Sequence, residues 1–87
     1  MDFINELKSL LSSLDYEDIA FVSFDESNTI VYFDAFIDTY YRVMCKKRPN
    51  NMIEIYDTTF DVDNYVFIAT ARRINKNWKV QFDKCIY

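Results

Sequence analysis

The chain has 87 residues, a net charge of −4, eight Phe, seven Tyr and one Trp, one proline, no glycine and no histidine. That length makes a single α+β domain over residues 1–87 and excludes two separate cores. The missing glycine excludes dinucleotide and P-loop phosphate cradles, and the missing histidine removes the usual general base near neutral pH and the commonest metal ligand.

The first predicted element is an amphipathic helix over Asp2 to Leu14. Phe3, Ile4, Leu7, Leu10, Leu11 and Leu14 fall on one stripe at three- and four-residue spacing. Asp2 can cap its start, and Glu6 lies near the positive end of its dipole. Ile19 to Phe24 and Thr29 to Phe33 are β-branched and aromatic runs around Asp25-Glu26-Ser27-Asn28, the pattern of a hairpin.

Residues 34–47 read two ways. As a helix, Phe33, Phe36, Ile37, Tyr40, Tyr41 and Met44 share a face, Asp34 caps it and Asp38 precedes Arg42 by four. As strands, Val31, Phe33, Ala35, Ile37, Tyr41, Val43 and Cys45 share a face, with a break near Asp38-Thr39 because an unbroken strand would be too long. Residue types favour strands, and charge placement favours a second helix. Arg48-Pro49-Asn50-Asn51 is a turn, Met52 to Thr58 a strand and Asp61-Val62-Asp63-Asn64 another turn. Tyr65 to Arg73 and Trp78 to Phe82 then form a hairpin around Asn75-Lys76-Asn77. Left-handed turn positions must fall to Asn or Asp, with Asn28, Asn50, Asn51, Asn64, Asn75 and Asn77 well placed.

The expected fold is one N-terminal helix packed on a curved antiparallel sheet of five or six strands. A helix followed by a meander ending in Asn75-Lys76-Asn77-Trp78-Lys79-Val80 resembles cystatin-like or NTF2-like sheets. The likeness covers only those few turn and strand residues and omits the extra helices of NTF2-like domains. It implies a sheet enclosing a small-molecule pocket.

Cys45 and Cys85 are far apart and form no CxxC pair, which reads as buried thiols rather than a bridge or metal site. The start lacks the basic and apolar regions of a signal peptide, and no apolar run approaches a membrane span. These features point to a reducing cytoplasm. Heavy use of Ile, Asn, Lys, Phe and Tyr reflects AT-rich codons, as in phages, mobile elements and low-GC bacteria.

Charge is sorted along the chain: nine acids and only Lys8 lie up to Tyr41, whereas nine bases and five acids follow. The acidic residues Asp15, Glu17, Asp18, Asp25, Glu26, Asp34 and Asp38 flank the first hairpin. Projecting together, they would steer a basic protein partner and occupy its nucleic-acid groove, with exposed Tyr or Phe as anchors. Small inhibitors and regulators of the immunity or phage anti-defence type act this way, without cofactor, metal or catalysis. The alternative surface is basic: Lys46, Lys47, Arg48, Arg72, Arg73, Lys76 and Lys79, interleaved with Tyr40, Tyr41 and Trp78, suit single-stranded nucleic acid. Asp57 and Asp61-Val62-Asp63-Asn64 superficially resemble a calcium loop but lack its glycine and closing glutamate, so they read as a solvated turn. Free strand edges also leave a homodimer open.

Overall fold

A computed structural model describes residues 2–61, 63–75 and 77–82. Helix α1 (Asp2–Ser13) is followed by β1 (Glu17–Phe24), β2 (Ile30–Ile37), β3 (Thr39–Arg48), β4 (Met52–Asp57), β5 (Val66–Ile74) and β6 (Asn77–Phe82). The strands pair in chain order, each antiparallel to the next, in one six-stranded sheet with β1 and β6 as its edges. Antiparallel neighbours need only tight connections, and polar turn residues between the apolar runs supply them.

With no glycine available, every described residue at positive φ is Asp or Asn: Asp15, Asp18, Asn28, Asp38, Asn50, Asn51 and Asn75. Their short polar side chains tolerate the left-handed region better than other residues with a Cβ. Four of the six expected asparagines are there; Asn64 and Asn77 are not, and three aspartates take further such positions.

Residues 34–47 contain no second helix. Asp38, at φ 62°, breaks the segment into the end of β2 and the start of β3. The charges that would have served a helix instead meet across strands. Asp34 and Arg42 are register partners, and Arg42 Nε donates to Asp34 Oδ1 at 2.6 Å. Strand geometry wins because it buries Val31, Phe33, Ala35, Val43 and Cys45 together, which a helix through this segment cannot do.

The core lies between α1 and one face of the sheet. Leu7, Leu10 and Leu11 are fully buried against Val31, Phe33, Ala35, Val43, Cys45, Ile53, Ile55, Ala69 and Ala71. Phe3, Ile4 and Leu14 from the same helical stripe pack at its margin, as do Trp78 and Val80 from β6. Burying each such Leu stabilises the fold by about 1.5–3 kcal/mol.

Bulges correct the alternation where simple pairing would misplace a side chain. Tyr56 opposes Phe67 while Ile55 opposes Ala69, so Ile68 is the extra residue. This turns Phe67 outward, keeps Ala69 in the core and lets Ile68 pack at the core's edge. A second bulge at Val22 lets Phe21 and Phe24 both reach the helix side, with ring centroids 5.3 Å apart. Among the described residues no helix lies over the other sheet face. Among the described residues no helix is long and apolar enough to cross a membrane.

Candidate functional site

The meander sorts the connections to opposite ends of the sheet. One end carries the α1–β1 junction, the β2–β3 turn and the β4–β5 loop; the other carries the three remaining turns. The first end holds the exposed acids Asp15, Glu17, Asp18, Asp38, Asp61 and Asp63 together with large exposed apolar side chains. Phe60 is 93% exposed, Val66 63% and Tyr65 46%, and Phe36, Ile37 and Tyr40 are each more than a third exposed. Arg42 is the only described base near this end, and it is already paired with Asp34.

The strands hold these groups firmly. Glu17 opposes Phe36, and the Phe36 and Tyr40 rings stand edge to face at 5.8 Å. Thr58 and Thr59 extend the β3–β4 pairing beyond Asp57: Thr58 N and Oγ1 both donate to the Arg42 carbonyl, at 2.9 and 3.2 Å, and Arg42 N donates to Thr59 Oγ1 at 2.9 Å. Asp57 accepts from Thr59 N and from its hydroxyl. Asp61 accepts from Asp63 N at 2.9 Å and from Asn64 Nδ2 at 2.8 Å, and these bonds hold its carboxyl below the usual carboxylate range. The loop is thus a self-bonded turn that presents Phe60. Tyr65 is anchored on Tyr56 with ring centroids 4.9 Å apart.

The seven acids expected to act together are divided. Asp15, Glu17, Asp18 and Asp38 lie at the aromatic end. Asp25 and Glu26 lie in the β1–β2 turn, at the far end of an eight-residue strand, on the order of 23 Å away. Asp25 is also consumed locally: it accepts from Ser27 Oγ at 2.7 Å and from the backbone N–H groups of Thr29 and Ile30 at 3.0 and 2.9 Å. The Ser27 bond, then that of Ile30, holds its carboxyl low. Asp34 sits on the helix-free face, accepting from Tyr40 Oη at 2.7 Å as well as from Arg42. The Tyr40 hydroxyl, followed by the Arg42 guanidinium, lowers the Asp34 carboxyl, and the bond to Asp34 raises the Tyr40 phenol in return.

A lowered carboxylate stabilises the fold above its unfolded pKa, and that contribution is lost as pH falls through the folded value. Asp34→Asn is therefore expected to lower stability at neutral pH and to flatten the acid limb. Urea titrations from pH 7 to pH 2.5 check this; an acid limb unchanged in the variant would remove Asp34 from that account.

The basic set is divided too. Lys46, Arg48, Arg72 and Lys79 share the helix-free face. Lys47 and Arg73 lie on the helix side, where Lys47 Nζ stands 5.3 Å from the Phe3 ring centroid, and Arg73 stacks on Trp78 and pairs with Glu6 at 3.1 Å. These two clasp the start of α1, with Arg73 Nε buried and unbonded. Lys76 lies outside the described residues, as does Cys85. Cys45 is a fully buried free thiol, its pKa pushed up to about 12 by burial.

Phe60, Tyr65 and Val66 carry no warning in the sequence, because an aromatic beside a turn reads equally as a strand end. The Asp61 and Asp63 pair was visible, but its placement at the same end of the sheet as Asp38 depends on the strand order. Comparison with protein-family models, curated proteins and solved structures finds no match to this chain.

Proposed function

We propose that the chain is a non-enzymatic binding protein, an inhibitor or regulator of the immunity or anti-defence type. It blocks a basic, nucleic-acid-handling protein in a reducing cytoplasm. The observation that carries this reading is the aromatic end of the sheet, where six exposed acids share one end with the exposed side chains of Phe36, Ile37, Tyr40, Phe60, Tyr65 and Val66. Apolar anchors supply contact energy, and the surrounding acids steer a basic surface and reject acidic ones. A solitary exposed Phe is unremarkable, but several exposed apolar side chains at one end together with one sign of charge have the make-up of an interface. The partner docks by side chains rather than by extending the sheet. Two bulges and the positive φ of Asp18 interrupt the free backbone row of β1, which also disfavours a homodimer through that edge.

The test keeps the fold intact. Asp34 and Asp25 are left alone because they bond within the molecule. Asp18→Asn and Asp38→Asn remove charge while tolerating positive φ, and they are combined with Glu17→Gln and Phe60→Ala. Loss of an anchor of hot-spot strength corresponds to at least about 2 kcal/mol, roughly 30-fold in affinity. The wild-type chain is expected to capture a basic protein from host extract at low salt and release it at high salt, and the fourfold variant to lose it. Equal capture by the variant, or an acidic captured protein, would sink the assignment.

A further inference from the structure

The helix-free face has a chemistry of its own. Register partners in adjacent antiparallel strands share a face, so its rows follow from the pairing. Ser23, Tyr32, Met44, Tyr56 and Phe67 form one row across five strands. Tyr56 stands edge to face with Phe67 at 5.5 Å. The next row is Ile30, Lys46, Glu54, Thr70 and Gln81, and the one beyond it is Arg48, Met52, Arg72 and Lys79.

Three of the four side chains in that last row are therefore bases, spread over ~14 Å of sheet width. A groove of about 530 Å³ opens there, lined by Met52, Thr70, Arg72, Ile74, Lys79 and Gln81 among others. Among the described residues Arg42, Lys46, Arg48, Arg72 and Lys79 share this face with the acids Asp34, Glu54 and, at the opposite end, Glu17, so the face is positive on a chain whose net charge is −4. Arg42 is paired with Asp34, and Arg48 stands at a loose 3.8 Å from Glu54. Arg72 and Lys79 are exposed, with no ion pair among the described residues.

From this arrangement we infer that the helix-free face binds single-stranded RNA. The cationic row and its groove take phosphates, and the Tyr32–Tyr56–Phe67 row offers rings for bases to stack on. Between them lie Glu54, Thr70 and Gln81, where the ribose falls. The Glu54 carboxylate can only accept hydrogen bonds; it already takes one from Tyr56 Oη at 3.0 Å, and a 2′-hydroxyl can donate a second. Deoxyribose has no such donor and leaves the carboxylate facing phosphates, which selects RNA over DNA. The acidic end is the opposite end of the sheet, so one chain can hold a basic protein and a single strand together.

The probe is a fluorescein-labelled 12-nucleotide oligouridine, with the matching deoxy-oligomer and heparin as comparisons, read by anisotropy. Three phosphate contacts imply a salt slope near −2, so raising salt from 50 to 200 mM is expected to weaken binding about 20-fold. Arg72→Glu and Lys79→Glu change exposed side chains that carry no core packing, and each is expected to cut affinity at least tenfold. The same reversal on the helix side, Lys8→Glu, is expected to change it less than twofold. No binding of oligouridine at 50 mM salt, equal loss with Lys8→Glu, or displacement by heparin with no preference for either oligomer would overturn the inference. Tighter binding of the deoxy-oligomer would overturn its RNA assignment.

Discussion

Phe33→Ala is expected to remove about 3–5 kcal/mol of folding stability, the range for truncating a fully buried aromatic. Phe33 is the largest side chain with no exposure at all, central in β2 beneath α1 and in edge contact with Phe21 at 6.3 Å. At about 0.05–0.15 kcal/mol per residue a chain of this size holds roughly 4–13 kcal/mol in total. The cavity would therefore consume about a quarter of that or more and lower the thermal midpoint by about 12 °C or more. Phe60→Ala provides the contrast: at 93% exposure it is expected to stay within about 0.5 kcal/mol of the parent. Urea unfolding of both variants decides the matter. A Phe33 variant as stable as the parent would show that the core is not organised around β2.

The second large effect is alkaline unfolding. Tyr16, in the core beside α1, has its phenol pushed up to about 12, first by burial and then by the Asp57 carboxylate. The Cys45 thiol is likewise raised from 9.0 to about 12 by burial. For both groups the native state holds a proton that the unfolded chain has already released. Their stabilising contribution is complete below the unfolded values and is lost as pH climbs through the folded ones, which sets the window at about pH 9–12. For Tyr16 alone the loss is on the order of 3 kcal/mol across its range. Circular dichroism from pH 8 to pH 12.5 should show the decline, and Tyr16→Phe should shift it to higher pH. At neutral pH the Cys45 thiol should resist alkylation until denaturant is added, read by mass spectrometry on its own peptide. A decline that ignores both groups, or rapid native labelling of Cys45, would contradict this picture.

The elements were largely legible because each carries its own periodicity. The Leu7–Leu10–Leu11 spacing marks a helix that needs a sheet to cover, and the apolar alternation in β4 and β6 declares which side faces it. Residues 34–47 were not legible, since their apolar residues satisfy both a helical and a strand repeat. Only pairing with β4, which buries Val43 and Cys45, breaks that tie. The bulges at Val22 and Ile68 were invisible for the same reason: they are choices between faces, made by what the neighbouring strand offers.

The candidate site divides along the same line. Amino-acid content determined that acids crowd the first half and bases the second, that no glycine-built phosphate cradle and no histidine chemistry exist, and that left-handed turns rest on Asn and Asp. These follow from residue type alone, so no neighbour is needed to read them. Which charges meet is a long-range property. The meander carried Asp25 and Glu26 away from Asp18 and Asp38, spent Asp34 on Arg42, brought Asp61, Asp63 and Phe60 to the acidic end, and sent Lys47 and Arg73 to hold the helix. Strand order and register decided this because antiparallel pairing joins residues by position across the sheet, whatever their separation along the chain.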